Sequence, residues 1–282
     1  MTKSFHITTI CNALVDILIN IEEKDLQQLN LKKGEMRLLN KNEFENLLKF
    51  YTNHEKTVEL GGSSLNTIKT LARLGKNTFF SGTISDDQYG SKVKEKMKER
   101  GISEKLFYTN EEATGSCIVL ITPDGERTMN TYLGASRIYT PNNIPESAIS
   151  QADIFHFCGY QWDTDGQKES IHRAIEVAKK NNTLISFDVA DPFVVEHNKT
   201  EFQKLITDKA DIIFANEHEA KILYGHDDPE KTAAEITSHK GKTAVIKLGS
   251  KGAFIKNEKE QTFIQAVKTE AIDTTGAGDT FA

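Results

Sequence analysis

The second half of the sequence alternates short apolar runs with stretches that repeat apolar residues at helical spacing, and few architectures accept that rhythm. DIFHF (153–157) reads as a buried strand, and from 167 to about 180 Ile171, Ala174, Ile175 and Ala178 recur on one helical face. LISFDV (184–189) is a strand again, and a helical stretch leads to DIIFA (211–215). Helices around 217–224 and 230–239 then precede TAVIKL (243–248). Strands separated by helices of this length require right-handed crossovers and a mainly parallel sheet with helices on both faces. The expected fold class is therefore α/β, doubly wound, and such sheets bind ligands outside the carboxyl ends of their strands.

The first half departs from this rhythm. ALVDILINI (13–21) and EMRLL (35–39) read as strands outside it, and SCIVLITPDGERTMNTYL (116–133) reads as a hairpin, with PDGE supplying the turn. The expectation is one large α/β domain over 1–282 carrying a small, discontinuous β lid, from about 13–40 and 106–135. A sheet standing over strand ends would exclude water from a reaction.

Charge and cysteine usage narrow the classes. A formal net charge of −6 argues against a nucleic-acid partner, which needs a concentrated basic surface. The lysine cluster KVKEKMKER is interleaved with glutamates and reads as a solvated helix face. Cys11, Cys117 and Cys158 show no CxxC spacing, and an odd, sparse set suits a reducing compartment. With no signal-like segment and no run of 18 apolar residues, a cytoplasmic protein without membrane contact is expected.

Five segments carry possible chemistry. DTTGAGDTFA (273–282) sets Gly276, Ala277 and Gly278 before Asp279 at the opening of a helix. Glycines leave backbone N–H groups unobstructed, which suits a phosphate or a developing negative charge. A carboxylate beside such a cradle can take the proton of an attacking hydroxyl, the arrangement that phosphoryl transfer to an alcohol needs. Asp279 as a plain helix cap is the competing reading. ELGGSSLNTIKTLARLG (59–75) again opens a helix from a glycine pair, Gly61 and Gly62, with Asn66 in its first turn. Capping by Ser63 or Ser64 is the alternative there. In CNALVD (11–16), Asn12 and Asp16 could bind paired hydroxyls or simply make a turn. In ANEHEA (215–220), Asn216 and Glu219 could hold water around Mg²⁺ or cap the helix that follows. KLGSKGAF (247–254) places Gly249 and Gly252 between two strands, as a hairpin turn would. Walker A and dinucleotide fingerprints are both absent, which counts against a nicotinamide oxidoreductase.

With GGSSLN, ANEHEA and DTTGAGD in this order, the sequence resembles the ribokinase/PfkB family of sugar and nucleoside kinases over essentially its whole length. The resemblance implies a doubly wound sheet with a β lid, and ATP and Mg²⁺ as cofactors. Monovalent-cation activation, which occurs in parts of the family, stays open. It implies Asp279 as catalytic base and Gly276, Ala277 and Gly278 as the anion hole. Asn12, Asp16, Gly61, Gly62 and Asn66 match acceptor-binding positions. Asn216 and Glu219 match the motif that organises Mg²⁺ and phosphates, through water. Lys247, Leu248, Gly249 and Gly252 match the nucleotide-side loop, and Arg127 is similar to a basic lid residue that reaches phosphate. Cys11 stands where a glycine is usual, and Lys247 where a threonine is frequent. Family members continue past this motif, so a longer protein is expected.

KGEMRLL, ERTMNTYLGAS and GYQWD are most similar to the bacterial adenosine-kinase-like branch. The implied reaction is ATP-dependent phosphorylation of a small-molecule acceptor, the 5′-hydroxyl of adenosine or a related purine nucleoside. A sugar kinase acting on ribose or fructose is the alternative, and a non-catalytic sensor on the same fold is a third reading. Phe107, Tyr132, Tyr160 and Trp162 are each as suited to core packing as to stacking on a ligand. A monomer and a homodimer are both compatible with the sequence.

Overall fold

The computed structural model describes residues 3–268 and 276–282. Asp273, Thr274 and Thr275 of the glycine-turn motif lie outside the described residues. The chain opens with β1 (Phe5–Ile10) and β2 (Leu14–Asn20), then α1 (Glu23–Gln28), β3 (Met36–Leu38), α2 (Lys41–Phe50) and β4 (Thr57–Gly61). Next come α3 (Ser63–Arg73), β5 (Thr78–Ser85), α4 (Gln88–Glu99) and β6 (Ser103–Thr109). The hairpin β7 (Gly115–Ile121) and β8 (Arg127–Tyr132) precedes α5 (Glu146–Ser150) and β9 (Ala152–Cys158). Then α6 (Asp165–Lys180), β10 (Leu184–Asp188), α7 (Pro192–Asp208), β11 (Ile212–Asn216), α8 (Glu217–Tyr224) and α9 (Pro229–Thr237) alternate. The chain ends with β12 (Thr243–Lys247), β13 (Gly252–Lys256), β14 (Gln261–Gln265) and α10 (Ala277–Phe281).

The large sheet runs β14-β13-β12-β11-β10-β9-β1-β5-β6. It is parallel from β12 to β6, and its last two strands are antiparallel. From β1 the chain winds outward to β5 and β6, then returns to β9 and winds the other way. The strand order therefore reverses between β1 and β9, and a crevice opens outside their carboxyl ends. Helices cover both faces: Ile171, Ala174 and Phe202 of α6 and α7 pack with Phe155, Phe157 and Phe187 on one side. On the other, Leu65, Ile68, Val93 and Met97 of α3 and α4 pack with Ile7, Phe80 and Ile84.

The second sheet runs β3-β8-β7-β2-β4. One assignment within the expected lid changes, and one strand joins it from outside the expected bounds. Residues 103–109 form β6, paired in parallel with β5 at the edge of the large sheet, so the small sheet's later portion begins at Gly115 and not near 106. Thr57–Gly61 joins the second sheet instead, antiparallel to β2. Both are matters of long-range pairing, which local extended patterning does not record. One face of this sheet, with Val15, Ile17, Ile19, Ile118 and Leu120, packs under Phe44, Leu47 and Tyr51. Strand alternation turns Asp16, Leu18, Cys117, Val119, Met129 and Arg127 to the other face. Among the described residues, no helix is long and apolar enough to cross a membrane.

Candidate active site

Asp279 lies at the third position of α10 and is held from α3. Ser63 Oγ donates to its Oδ1 at 2.6 Å and Asn66 Nδ2 to its Oδ2 at 2.9 Å. Thr67 Oγ1 donates to its main-chain oxygen at 2.7 Å. Each carboxylate oxygen keeps a lone pair after accepting one bond, so the group is oriented yet still able to accept a proton. Asn66, expected on the acceptor, here orients the carboxylate. Ser63 does not cap α3, because the N-cap is Gly62 and no side-chain cap bond forms. Neither does Asp279 cap α10, whose N-cap is Gly276.

The turn before Asp279 needs glycine at its first position. Gly276 has φ +66°, and a Cβ there would come within 2.8 Å of Asn66 Nδ2. Ala277 and Gly278 then begin α10, where the first N–H groups have no intrahelical acceptor. Beneath this turn, a Cβ on Gly278 would lie 3.6 Å from Lys247 Nζ.

On the acceptor side, Asn12 follows β1 at the reversal point and is buried. Its Oδ1 accepts from Gln167 Nε2 at 2.7 Å, and Gln167 also donates to Ser136 O. Gly62, at φ +101°, approaches so closely that a Cβ would sit 2.5 Å from Asn12 O. Gly61 packs directly on Asp16: a Cβ would be 2.1 Å from its Oδ1. Burial pushes the Asp16 carboxyl up to about 6, opposed by the charges of Lys69 and Arg127 and reinforced by those of Asp279 and Glu59. Lys69 donates to Leu60 O at 2.5 Å, and burial lowers its pKa. Arg127 stands opposite Ile121, further along β7 than Cys117, the residue opposite Asp16. There it lines a concavity of 730 Å³ with Asn20, Glu22, Asp25 and His54.

On the other side of Asp279, Asn216 and Glu219 form a reciprocal cap on α8. Asn216 Oδ1 accepts from Glu219 N, while Glu219 accepts from Asn216 N and Nδ2, each at 2.7 Å. Burial, with the nearby charge of Asp188, pushes Glu219 up to about 7. Among the described residues, no cluster of three His, Cys, Asp or Glu could hold a metal ion directly. Lys247 ends β12 and donates to both carboxylate oxygens of Asp188, at 2.8 and 3.1 Å. Leu248 N donates to Gly252 O at 2.8 Å and closes the β12–β13 turn around Gly249.

Several residues here carried no expectation: Ser63 as a ligand of Asp279, then Thr67, Lys69, Gln167 and Asp188. Buried His156, whose Nδ1 lies 3.0 Å from Ser186 Oγ and whose pKa burial lowers to about 4, is another. Asp188 had a sequence signal, an acid at the carboxyl end of an apolar strand. Gln167, in the first turn of a long helix, had none. Of the four aromatics, Trp162 lies in an aromatic cluster with Phe157 and Phe202. Tyr132 stacks on Phe44, and Phe107 meets Tyr139 edge-on. Burial raises the pKa of Tyr160, and the charges of Asp191, Cys158, Asp279 and Glu219 add to the shift. Cys11, Cys117 and Cys158 are buried free thiols.

Residues 40–282 match the pfkB family carbohydrate kinase profile. The chain belongs to that family. It is a sugar or nucleoside kinase, an ATP-dependent phosphotransferase, and relatives of both kinds resemble it. An adenosine kinase from Sinorhizobium meliloti superposes with a TM-score of 0.89 at 30% identity, over 98% of this chain and 85% of that one. A probable sugar kinase from Rhizobium etli CFN 42 superposes with a TM-score of 0.90 at 31% identity, over 100% and 85%. In sequence, probable fructokinase-4 of Arabidopsis thaliana is 28% identical over 228 residues, 78% of this kinase and 70% of the relative. A 5-dehydro-2-deoxygluconokinase of Listeria monocytogenes is 27% identical over 241 residues, 79% and 72%.

Proposed function

We propose that this kinase transfers the γ-phosphoryl group of ATP to the 5′-hydroxyl of adenosine or a related purine nucleoside. The observation that carries the choice of acceptor is a lateral row on the site-facing side of the second sheet. Leu18 stands opposite Val119, Val119 opposite Met129, and Met129 opposite Met36. Leu18, Met129 and Met36 are half-buried, and Val119 between them is buried. The next row holds Asp16, Cys117, Thr131 and Leu38, the last 53% exposed. An apolar row with two thioethers beside a hydroxyl-binding carboxylate suits a flat, weakly polar base joined to a sugar. A free hexose would leave that surface wet and uncovered.

In this reading Asn12 and ionised Asp16 accept and orient ribose hydroxyls, and Asp279 takes the proton of the attacking hydroxyl. Ser63 and Asn66 keep the Asp279 carboxylate aimed, so its orientation is fixed before substrate arrives. The Gly276–Gly278 turn receives charge developing on the transferring group. Asn216 and Glu219 would hold Mg²⁺ through water, since each Glu219 oxygen already accepts an Asn216 N–H and the carboxylate is buried. Bound there, the ion would neutralise phosphate charge. Lys247, Leu248, Gly249 and Gly252 border the nucleotide side.

The test is ADP release from Mg-ATP by the full-length gene product, with adenosine, inosine, ribose and fructose in parallel. Turnover with a nucleoside at least tenfold above the free sugars is expected. Preference for fructose, which the fructokinase relatives favour, would discard the acceptor while keeping the phosphoryl-transfer chemistry. Nucleoside binding without any turnover would point to a sensor.

A further inference from the structure

We infer that Asp188 and Lys247 are a positioning pair for phosphoryl transfer: Asp188 fixes the Lys247 ammonium beneath the Gly276–Gly278 turn, where that cation meets the transferring group. This rests on the reading of the turn as the phosphoryl site. Lys247 ends β12 and Asp188 ends β10, so the side chains reach across the intervening β11. The pair is deeply set, with side-chain exposures of 14% and 3%. Asp188 is itself fixed, because its Oδ1 also accepts from Ala190 N at 3.1 Å, in a turn where Ala190 has φ +80°.

Stability does not account for such a pair. Desolvating two charges offsets most of their attraction, and apolar side chains of similar volume often serve as well. What the pair does supply is a cation of fixed place. An ammonium has three N–H donors, and among the described residues Asp188 is the sole acceptor of Lys247, so donor capacity is left over. The Nζ lies 3.6 Å from where a Gly278 side chain would begin, so that capacity is at the turn. The other charged or titratable groups acting around the pair are Glu219, Asp279, Asp191 and His156. Without Asp188, Lys247 would be left to Glu219 and to Asp279, the other carboxylates whose charges act on it, and Asp279 must stay available as base. Asp188 therefore keeps cation and base apart.

The test is steady-state kinetics and thermal melting of Lys247→Met, Lys247→Arg, Asp188→Asn and the Asp188→Asn/Lys247→Met double variant, beside wild type. Lys247→Met should lower kcat by roughly 10²–10³-fold, as loss of one preorganised charge donor does, with acceptor KM within a few-fold of wild type. Lys247→Arg should recover part of that loss. Asp188→Asn should lower kcat as well, and the double variant should be no slower than Lys247→Met, because residues acting as a unit are non-additive. Wild-type kcat in Lys247→Met, or strictly additive losses in the double variant, would overturn the pair. Should Lys247→Met not fold, Lys247→Arg and Asp188→Asn decide: unchanged kcat in both also overturns it. A wild-type protein without turnover on any acceptor would instead overturn the phosphoryl-site reading beneath it.

Discussion

At the scale of single residues, two carboxylates in one crevice are set to different tasks by what surrounds them. Asp279 accepts from Ser63 and Asn66 and is held ready. Replacing Asp279 with Asn should lower kcat by about 10²–10⁴-fold, the usual worth of a positioned general base, with acceptor affinity by calorimetry nearly unchanged. Asp16 instead sits against Gly61, and burial raises its pKa from the ordinary 3.8 to about 6. The native state then binds the proton more tightly than the unfolded chain does. Stability from this group is full below the ordinary value and falls as pH rises from about 4 to about 6. Asp16→Asn removes that titration, so its Tm relative to wild type should climb across this window and level off above it. A flat difference would mean the carboxyl is not buried as described. Wild-type acceptor kcat/KM should rise through about pH 6 as the hydroxyl-accepting form appears, and the variant should lack that step.

At the scale of elements, α3 connects the acceptor to the base. Its first five residues supply Ser63, Asn66 and Thr67 to Asp279, and its N-cap, Gly62, abuts Asn12. Gly62→Ala would place a Cβ 2.5 Å from Asn12 O in a backbone conformation that side chains disfavour. It should cost roughly 1–3 kcal/mol in urea unfolding and lower kcat too, because the start of α3 must shift. Gly75, just past the other end of α3, has φ +77° with open space around it. Gly75→Ala should cost about 1–2 kcal/mol and leave kcat alone. Equal kinetic effects of the two substitutions would separate α3 from any aiming role.

At the scale of the whole molecule, the site joins two sheets that are otherwise separate hydrogen-bonded units. Asn12, α3 and Lys247 belong to the large sheet's crevice, and Asp16 with the apolar row belongs to the second sheet. A ligand touching both should stabilise them together. Adenosine at a hundredfold excess over its Kd should add about 2.7 kcal/mol to the unfolding free energy. The single tryptophan, Trp162, lies in the large-sheet core and reports that shift by fluorescence. Met129→Lys, at a half-buried position of the row, should abolish the adenosine shift while leaving the unliganded Tm within a few degrees. An unaltered adenosine shift in that variant would remove the base from this surface.

Periodicity by itself determined the doubly wound sheet, since a helix between two buried strands leaves one handed way to pack back. The glycine turns were equally legible: Gly62 and Gly276 occupy backbone conformations that other residues resist, so their identity records their geometry. Asp279 stood out for the same reason, as an acid placed where only a job would keep one. The partners of these residues were not legible. Ser63 reads as a cap from its neighbours and is drawn to Asp279 by a contact spanning 216 residues. Gln167 reaches Asn12 across 155 residues, and Lys247 reaches Asp188 across 59. The strand 103–109 joined the large sheet against expectation, and the strand 57–61, which carried no expectation, joined the second sheet, because pairing is likewise non-local. Local sequence encodes what a backbone segment can do at its own position. Which side chains meet is set by the packing of distant segments, and only the tertiary structure decides that.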